Sequence, residues 1–244
     1  MKLVCTMAGD DAIYSDRFAL DAGDGNLDVY GAWPTHSLAQ TPSVVVVMHV
    51  WGIDPSMRDV VDRLAKTGFA AIVPNLYSRF DGVPNGEGAT DSAPFRAFAG
   101  RLDPQRVQSD LLAAQRLLHD KFPRTRTAIL GFCMGGRIAL QCAAANPQSF
   151  DGVVSFYGAV NEVDPAALRV PVSGSYGADD RSIPASEVEA FAARLPEDSD
   201  VRIYEGAGHA FFDSRRASYA PGAALDAWTR TVEYLRGRLG EQTP

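Results

Sequence analysis

The segment at residues 131–136, Gly-Phe-Cys-Met-Gly-Gly, constrains the fold more than any other part of the chain. Residues 127–130 before it are apolar and predict a buried strand, and residues 137–145 after it predict a helix. Glycines on both sides of one residue, in a sharp turn from a strand to a helix, hold that residue in a strained conformation. The residue is Cys133, and the helix N-terminus that follows it favours a thiolate. This is the arrangement of a nucleophile elbow, with cysteine in the nucleophile position.

Strands and helices alternate along the rest of the chain. Residues 12–33 predict a β-hairpin, and the continuous apolar run at 43–49 predicts a central parallel strand that is buried on both faces. Further strands are predicted at 69–73, 152–157, 172–176 and 201–204, and further helices at 54–67, 104–121, 184–194 and 223–239. The alternation predicts an α/β fold, with a mostly parallel central sheet and helices on both faces. We expect a single domain over residues 1–244, in which residues 78–103 form a long loop or small cap.

Composition and charge narrow the class of partner. The net charge is −7, from 23 basic and 30 acidic residues, and no basic run occurs, which argues against nucleic acid or an anionic membrane surface. No apolar run approaches the ~20 residues that span a bilayer. The three cysteines have no C-x-x-C or disulfide pattern and the N-terminus does not resemble a signal peptide, so we expect a cytoplasmic protein. No metal-ligand motif or nucleotide loop is found, and we expect neither metal nor cofactor.

An acid and a base follow the elbow in the order that a catalytic triad on this type of sheet uses. Asp179 and Asp180 come directly after the predicted strand at 172–176, and His209 comes after the strand at 201–204. The carboxyl ends of parallel strands lie at one edge of the sheet, so we expect these side chains to converge on Cys133. On local grounds either aspartate could face the site. A thiol, a histidine and a carboxylate in reach of one another would form a nucleophile, its base and the group that orients the base.

These segments resemble the dienelactone hydrolase family of the α/β-hydrolase superfamily over about residues 12–240. Residues 131–136 are similar to the family's cysteine elbow, 177–184 to its acid loop and 204–211 to its histidine loop. Segments 47–52 and 71–77 are similar to family blocks that follow the first two core strands. In the family's acid loop the aspartate four residues before the proline belongs to the triad, which favours Asp180. The resemblance implies an α/β-hydrolase fold.

The resemblance also implies acyl transfer. Cys133 would attack a small activated ester, enol-lactone or thioester, with His209 carrying the proton and Asp180 fixing its tautomer. The backbone N–H groups of Val50 and Met134 would hold the oxyanion. The alternatives are a broad esterase or thioesterase, and a non-catalytic or redox-sensing module that keeps the fold. We expect a monomer or a weak homo-oligomer.

The sequence departs from the family pattern at two places. His49 stands where the family's best-understood form has a glutamate that engages the thiol, so it could modulate Cys133, or it could only pack near the oxyanion loop. Asp213 stands four residues after the histidine, where dienelactone-cleaving members have an arginine for the substrate carboxylate. The arginines that could compensate are Arg79, Arg96, Arg215 and Arg216, and the aromatic residues that could line the substrate pocket are Trp51, Tyr77, Phe95 and Phe212.

Overall fold

A computed structural model describes residues 5–6, 12–36, 40–123 and 125–240. The chain forms two compact units, of which the first ends at Thr127 and the second begins at Ala128. The expectation of a single domain stays a prediction. Among the helices of the described ranges, none has the length and apolar character needed to cross a membrane.

The described residues of the first unit form five strands and three helices. The strands are β1 (Cys5–Thr6), β2 (Ile13–Asp21), β3 (Asn26–Pro34), β4 (Ser43–Val47) and β5 (Ala70–Pro74), and the helices are α1 (Pro55–Lys66), α2 (Ala93–Ala99) and α3 (Pro104–Lys121). The strands lie in the order β1-β2-β3-β5-β4. Strands β1, β2, β3 and β5 pair antiparallel to their neighbours in this order, whereas β4 and β5 pair in parallel. The predicted N-terminal hairpin is therefore confirmed as β2 and β3.

Two helices cover the buried strands of this unit. Helix α1 packs against β3 and β5, and α3 packs against β4 and β5. Every residue of β4 and β5 is buried, as the continuous apolar runs predict. Helix α1 begins after Asp54, whose side chain accepts hydrogen bonds from the backbone N–H groups of Ser56 and Met57.

The second unit is a parallel sheet with helices. Its strands are β6 (Thr127–Phe132), β7 (Gly152–Phe156), β8 (Val172–Gly177) and β9 (Asp200–Tyr204), and its helices are α4 (Met134–Ala145), α5 (Ala185–Ala192) and α6 (Pro221–Leu239). The strands pair in the order β6-β7-β8-β9, all parallel. Helix α4 packs on β7, α5 on β8, and α6 on both β7 and β8. The predicted α/β class, with a mostly parallel arrangement of core strands, is confirmed.

Two details of the sequence prediction are corrected. The segment at 78–103 contains α2, although its composition predicted an irregular loop or cap; seven residues are too few to show a helical period. Helix α4 begins at Met134, three residues before the predicted start. The predicted start was late because Gly135 and Gly136 have low helix propensity. Packing overrides propensity there, since a Cβ on Gly136 would lie 2.9 Å from the Cα atom of Gly158.

Candidate active site

Cys133 lies between the end of β6 and the start of α4, in a backbone conformation that residues other than glycine rarely adopt. Its φ is 55° and its ψ is −118°. Its N–H donates to the Phe156 carbonyl at the end of β7 (2.9 Å), which holds the turn against the neighbouring strand. The turn has room only for glycine at position 131, because a Cβ there would lie 2.0 Å from the Gly135 carbonyl oxygen. The backbone strain and the close approach together confirm the elbow geometry that the sequence predicts.

His209 reaches this sulfur from the loop after β9. Its Nε2 lies 3.0 Å from the Cys133 Sγ, and its Nδ1 lies 2.6 Å from the Asp180 Oδ2. The three side chains are therefore linked in one line, sulfur to imidazole to carboxylate. This is the order of contacts that a nucleophile, its base and an orienting acid require.

Asp180, rather than Asp179, is the carboxylate that contacts the imidazole. Its side chain is 1% exposed, and its second oxygen accepts the Ser182 N–H at 2.8 Å. Asp179 contributes a backbone hydrogen bond instead, from its N–H to the Ala207 carbonyl (2.9 Å). The carboxylate is thus fixed from both sides, and the loop after β8 is joined to the histidine loop.

The surroundings of His209 favour its protonated form. Burial lowers the pKa of His209, but the hydrogen bonds to Asp180 and Cys133 and the negative charges of both groups raise it to about 10. An imidazolium at neutral pH would donate one proton to the carboxylate and the other to the sulfur. The arrangement can therefore hold a thiolate nucleophile next to the proton donor that a leaving group needs.

Two further residues, which no sequence motif indicated, hold the histidine. The ring of Tyr157 lies 5.2 Å from the imidazole, centroid to centroid, and Tyr157 itself has a positive φ of 38°. Ser218 Oγ donates to the His209 carbonyl. Tyr157 follows the last residue of β7, so its place at the carboxyl end of a core strand was a usable signal. Ser218 carries no such signal.

The predicted oxyanion donors lie in two separate segments. Met134 is the first residue of α4, directly after the nucleophile, and Val50 lies in the loop between β4 and α1. His49, next to Val50, has partners at both ring nitrogens within the first unit: the Trp51 N–H donates to Nδ1 (3.2 Å), and Nε2 lies 3.2 Å from the Ser56 Oγ. Modulation of the Cys133 thiol by His49 stays a prediction.

The predicted pocket residues divide into two groups. Trp51 and Tyr77 line a cavity of about 380 Å³ in the first unit, and Phe95 packs on Trp51 with 5.0 Å between ring centroids. Phe212, in the second unit, packs among the rings of Phe132, Phe156 and Trp228. All four aromatic residues stay predictions as substrate contacts.

The candidate arginines differ in how much of their charge is already paired. Arg79 forms ion pairs with Asp110 and Asp24, and Arg216 forms one with Asp213. Arg96 and Arg215 are exposed. The cavity next to Trp51 is lined by Arg17 and Arg58, which are not among the predicted candidates.

Comparison with known proteins gives a consistent result. The model of the family described as "Dienelactone hydrolase family" matches residues 27–239. A protein of Escherichia coli (strain K12) named "Putative carboxymethylenebutenolidase" is 32% identical, with 96% of this chain and 91% of that protein covered. A Bradyrhizobium protein named "Probable 2-oxo-3-(5-oxofuran-2-ylidene)propanoate lactonase" is 33% identical over 83% of this chain and 86% of its own length.

Solved structures agree with the sequence comparison. The crystal structure described as a "Putative Dienelactone Hydrolase" from Klebsiella pneumoniae subsp. pneumoniae has a TM-score of 0.81 and 30% identity, and covers 91% of this chain and 98% of its own. A dienelactone hydrolase from Anabaena variabilis shares the fold, with a TM-score of 0.69, 19% identity and coverage of 92% and 98%. The fold is thus the α/β-hydrolase fold and the enzyme class is carboxylic-ester hydrolase. This chain belongs to the dienelactone hydrolase family.

Proposed function

We propose that this chain hydrolyses small esters or lactones through a covalent thioester on Cys133, with His209 and Asp180 completing the triad. The observation that supports this most strongly is the 3.0 Å separation between the His209 Nε2 and the Cys133 Sγ, with Asp180 at 2.6 Å on the other ring nitrogen. Dienelactone hydrolases cleave esters and lactones, so the family supports the reaction class.

The first half of the proposed reaction forms the thioester. The Cys133 thiolate attacks the carbonyl carbon, and the electron pair of the C=O bond moves to the oxygen. The backbone N–H groups of Val50 and Met134 would stabilise this oxyanion, and the loss of one such donor typically costs ~10²–10³ in rate. The C–O bond then breaks and the leaving oxygen takes the proton from the His209 imidazolium.

The second half regenerates the enzyme. The neutral His209 removes a proton from water, and the resulting hydroxide attacks the thioester carbonyl. The C–S bond breaks, which releases the carboxylic acid and restores the thiolate beside an imidazolium. Asp180 holds the ring through both halves, with Nδ1 protonated and Nε2 towards the sulfur.

The experiment measures turnover of p-nitrophenyl acetate by wild type and by Cys133→Ala, together with the mass of the intact protein after rapid acid quench. We expect a burst of p-nitrophenol and an acetyl adduct that maps to Cys133, and neither in the variant. Turnover that persists in Cys133→Ala would refute the proposal.

We also propose an enol-lactone as the natural type of substrate, in a reducing, cytoplasmic compartment. An enolate is a good leaving group, which suits a thiolate nucleophile, and a catalytic cysteine needs reducing conditions to stay a thiol. The lactone in the name of the Bradyrhizobium relative also carries a carboxylate. A panel of enol-lactones with and without a carboxylate, tested beside aryl esters and acyl thioesters, separates this substrate class from a broad esterase or thioesterase. A higher kcat/KM on the simple esters or thioesters would contradict the proposal.

A further inference from the structure

The loop between β4 and α1, residues 49–54, turns sharply after its first residue. The Gly52 N–H donates to the His49 carbonyl at 3.2 Å, and Gly52 has a φ of +80°, which glycine adopts without strain. In a trans peptide the N–H and the C=O point in opposite directions. The carbonyl of His49 faces into the turn, so the N–H of Val50 in the same peptide points away from it.

The next peptide, between Val50 and Trp51, is held at both ends. Its carbonyl accepts a hydrogen bond from the Tyr77 hydroxyl at 2.9 Å, and its N–H donates to the His49 Nδ1 at 3.2 Å. Tyr77 is 1% exposed and His49 is 6% exposed, so neither bond competes freely with water. A rotation of this peptide, which would also turn the adjoining Val50 N–H, breaks two buried hydrogen bonds.

The ring of His49 is itself anchored to the start of α1. Since Nδ1 accepts a hydrogen bond from a backbone N–H, the neutral ring carries its proton on Nε2. Nε2 lies 3.2 Å from the Ser56 Oγ and 3.3 Å from the Asp54 Oδ1. The same Asp54 oxygen accepts the backbone N–H groups at the first turn of the helix, at 3.0 and 3.1 Å. The loop is therefore connected, through His49, to the rigid end of a helix.

These contacts leave the backbone N–H of Val50 available. The carbonyls of His49 and Val50 and the N–H groups of Trp51 and Gly52 are all hydrogen bonded within the first unit. Within the described ranges the Val50 N–H has no hydrogen-bond partner. A donor that is fixed in place before the reaction stabilises developing charge without a cost of reorganisation.

We propose that His49 and Tyr77 are positioning residues, which hold the Val50 N–H in the orientation that an oxyanion needs. This inference rests on the proposed function, because it takes Val50 as an oxyanion donor. It assigns to His49 a role in orienting the backbone, through the neutral ring with its proton on Nε2. It also assigns to the Tyr77 hydroxyl a role that is separate from the lining of a pocket by its ring.

Tyr77→Phe tests the proposal with the smallest change, since it removes the hydroxyl and keeps the ring. The matched control is Tyr176→Phe, because Tyr176 is 2% exposed and its hydroxyl donates a hydrogen bond to the Ser155 Oγ at 3.3 Å. We expect Tyr77→Phe to lower kcat for p-nitrophenyl acetate about tenfold with KM within twofold, since the oxyanion forms only in the transition state. Tyr176→Phe keeps kcat within twofold.

Replacement of His49 supplies a second test with a rescue arm. Glutamine offers an acceptor oxygen and a donor nitrogen in one side chain, whereas methionine offers neither. We expect His49→Met to lower kcat more than tenfold relative to wild type. His49→Gln should recover at least a third of this decrease in log kcat. Affinity for a trifluoromethyl ketone, which adds to the thiolate and forms an oxyanion, falls in proportion to kcat/KM across these variants.

The outcomes separate this inference from the proposed function. Variants of Tyr77 and His49 that change KM alone, or whose kcat is unchanged, overturn the positioning role while the Cys133 adduct stays in place. The positioning role is also overturned if kcat falls only as much as the melting temperature falls, and if Tyr176→Phe shows the same loss. Turnover by Cys133→Ala would instead overturn the proposed function itself.

Discussion

Asp180→Asn would remove the charge that faces His209 and leave the shape of the side chain almost unchanged. One oxygen of the carboxylate accepts the Ser182 N–H at 2.8 Å, and an asparagine would keep its oxygen on that donor. Its NH₂ group would then face the imidazole Nδ1, at the position where the carboxylate oxygen now lies at 2.6 Å. A neutral ring would accept at Nδ1 and carry its proton on Nε2, so it could not remove a proton at that nitrogen.

The pKa of His209 gives only the electrostatic part of the effect, and the wrong tautomer of the ring adds the larger loss of rate. The pKa value of about 10 lies roughly 3.5 above the ordinary 6.5, which corresponds to about 5 kcal/mol at 1.36 kcal/mol per unit. The side chain is 35% exposed, so screening by water leaves about 2–3 kcal/mol, shared between Asp180 and Cys133. The raised pKa of His209 contributes to the stability of the folded state. This contribution is fully present below about pH 6.5 and is lost as the pH rises through about 10.

We therefore expect kcat/KM of Asp180→Asn to fall ~10³–10⁴-fold, and its alkaline limit of activity to move to lower pH. The assay is p-nitrophenyl acetate turnover across pH 5–10, with thiolate absorbance at 240 nm recorded over the same range. Asp179→Asn is the matched control, since Asp179 holds the histidine loop through its backbone N–H. Activity of Asp180→Asn within tenfold of wild type, or an equal loss in Asp179→Asn, would refute this reasoning.

Three further predictions concern stability and reactivity. Burial raises the pKa of Asp54, but hydrogen bonds from His49, Met57 and Ser56 lower it to about 2. Asp54→Asn, which keeps a good helix cap, should lower the free energy of unfolding in urea by about 2 kcal/mol at pH 7. This difference from wild type should shrink as the pH falls from about 4 towards 2. An unchanged cost at pH 2 would contradict this account. Gly131→Ala should lower the free energy of unfolding by at least ~3 kcal/mol or prevent folding, because the added Cβ would lie 2.0 Å from the Gly135 carbonyl oxygen. A variant with the wild-type melting temperature would contradict this prediction and show that the elbow can relax. Burial raises the pKa of the Cys142 thiol to about 12, so iodoacetamide should label Cys133 and leave Cys142 unlabelled in the native protein, as peptide mapping can check.

Most of the site residues could be predicted from their positions at the ends of predicted strands. Cys133, Asp180 and His209 each follow a predicted strand, and the alternation of strands and helices places such positions at one sheet edge. Helix α2 escaped prediction because its seven residues show no period, and the early start of α4 depends on packing between backbones. The bond between His49 and the Trp51 N–H could not be predicted, since it depends on the path of a turn that no motif records.

The link between the acid loop and the histidine loop has a consequence for how such an enzyme can diversify. Two backbone hydrogen bonds, Ala178 N–H to the Tyr204 carbonyl and Asp179 N–H to the Ala207 carbonyl, both 2.9 Å, join the bases of the loops. Backbone hydrogen bonds do not depend on side-chain identity, so the distance between Asp180 and His209 does not change with substitutions in the segment that contains α5. Residues 185–198, which contain α5, could thus be lengthened, exchanged or grafted to reshape this face, while the distance between Asp180 and His209 is inherited unchanged.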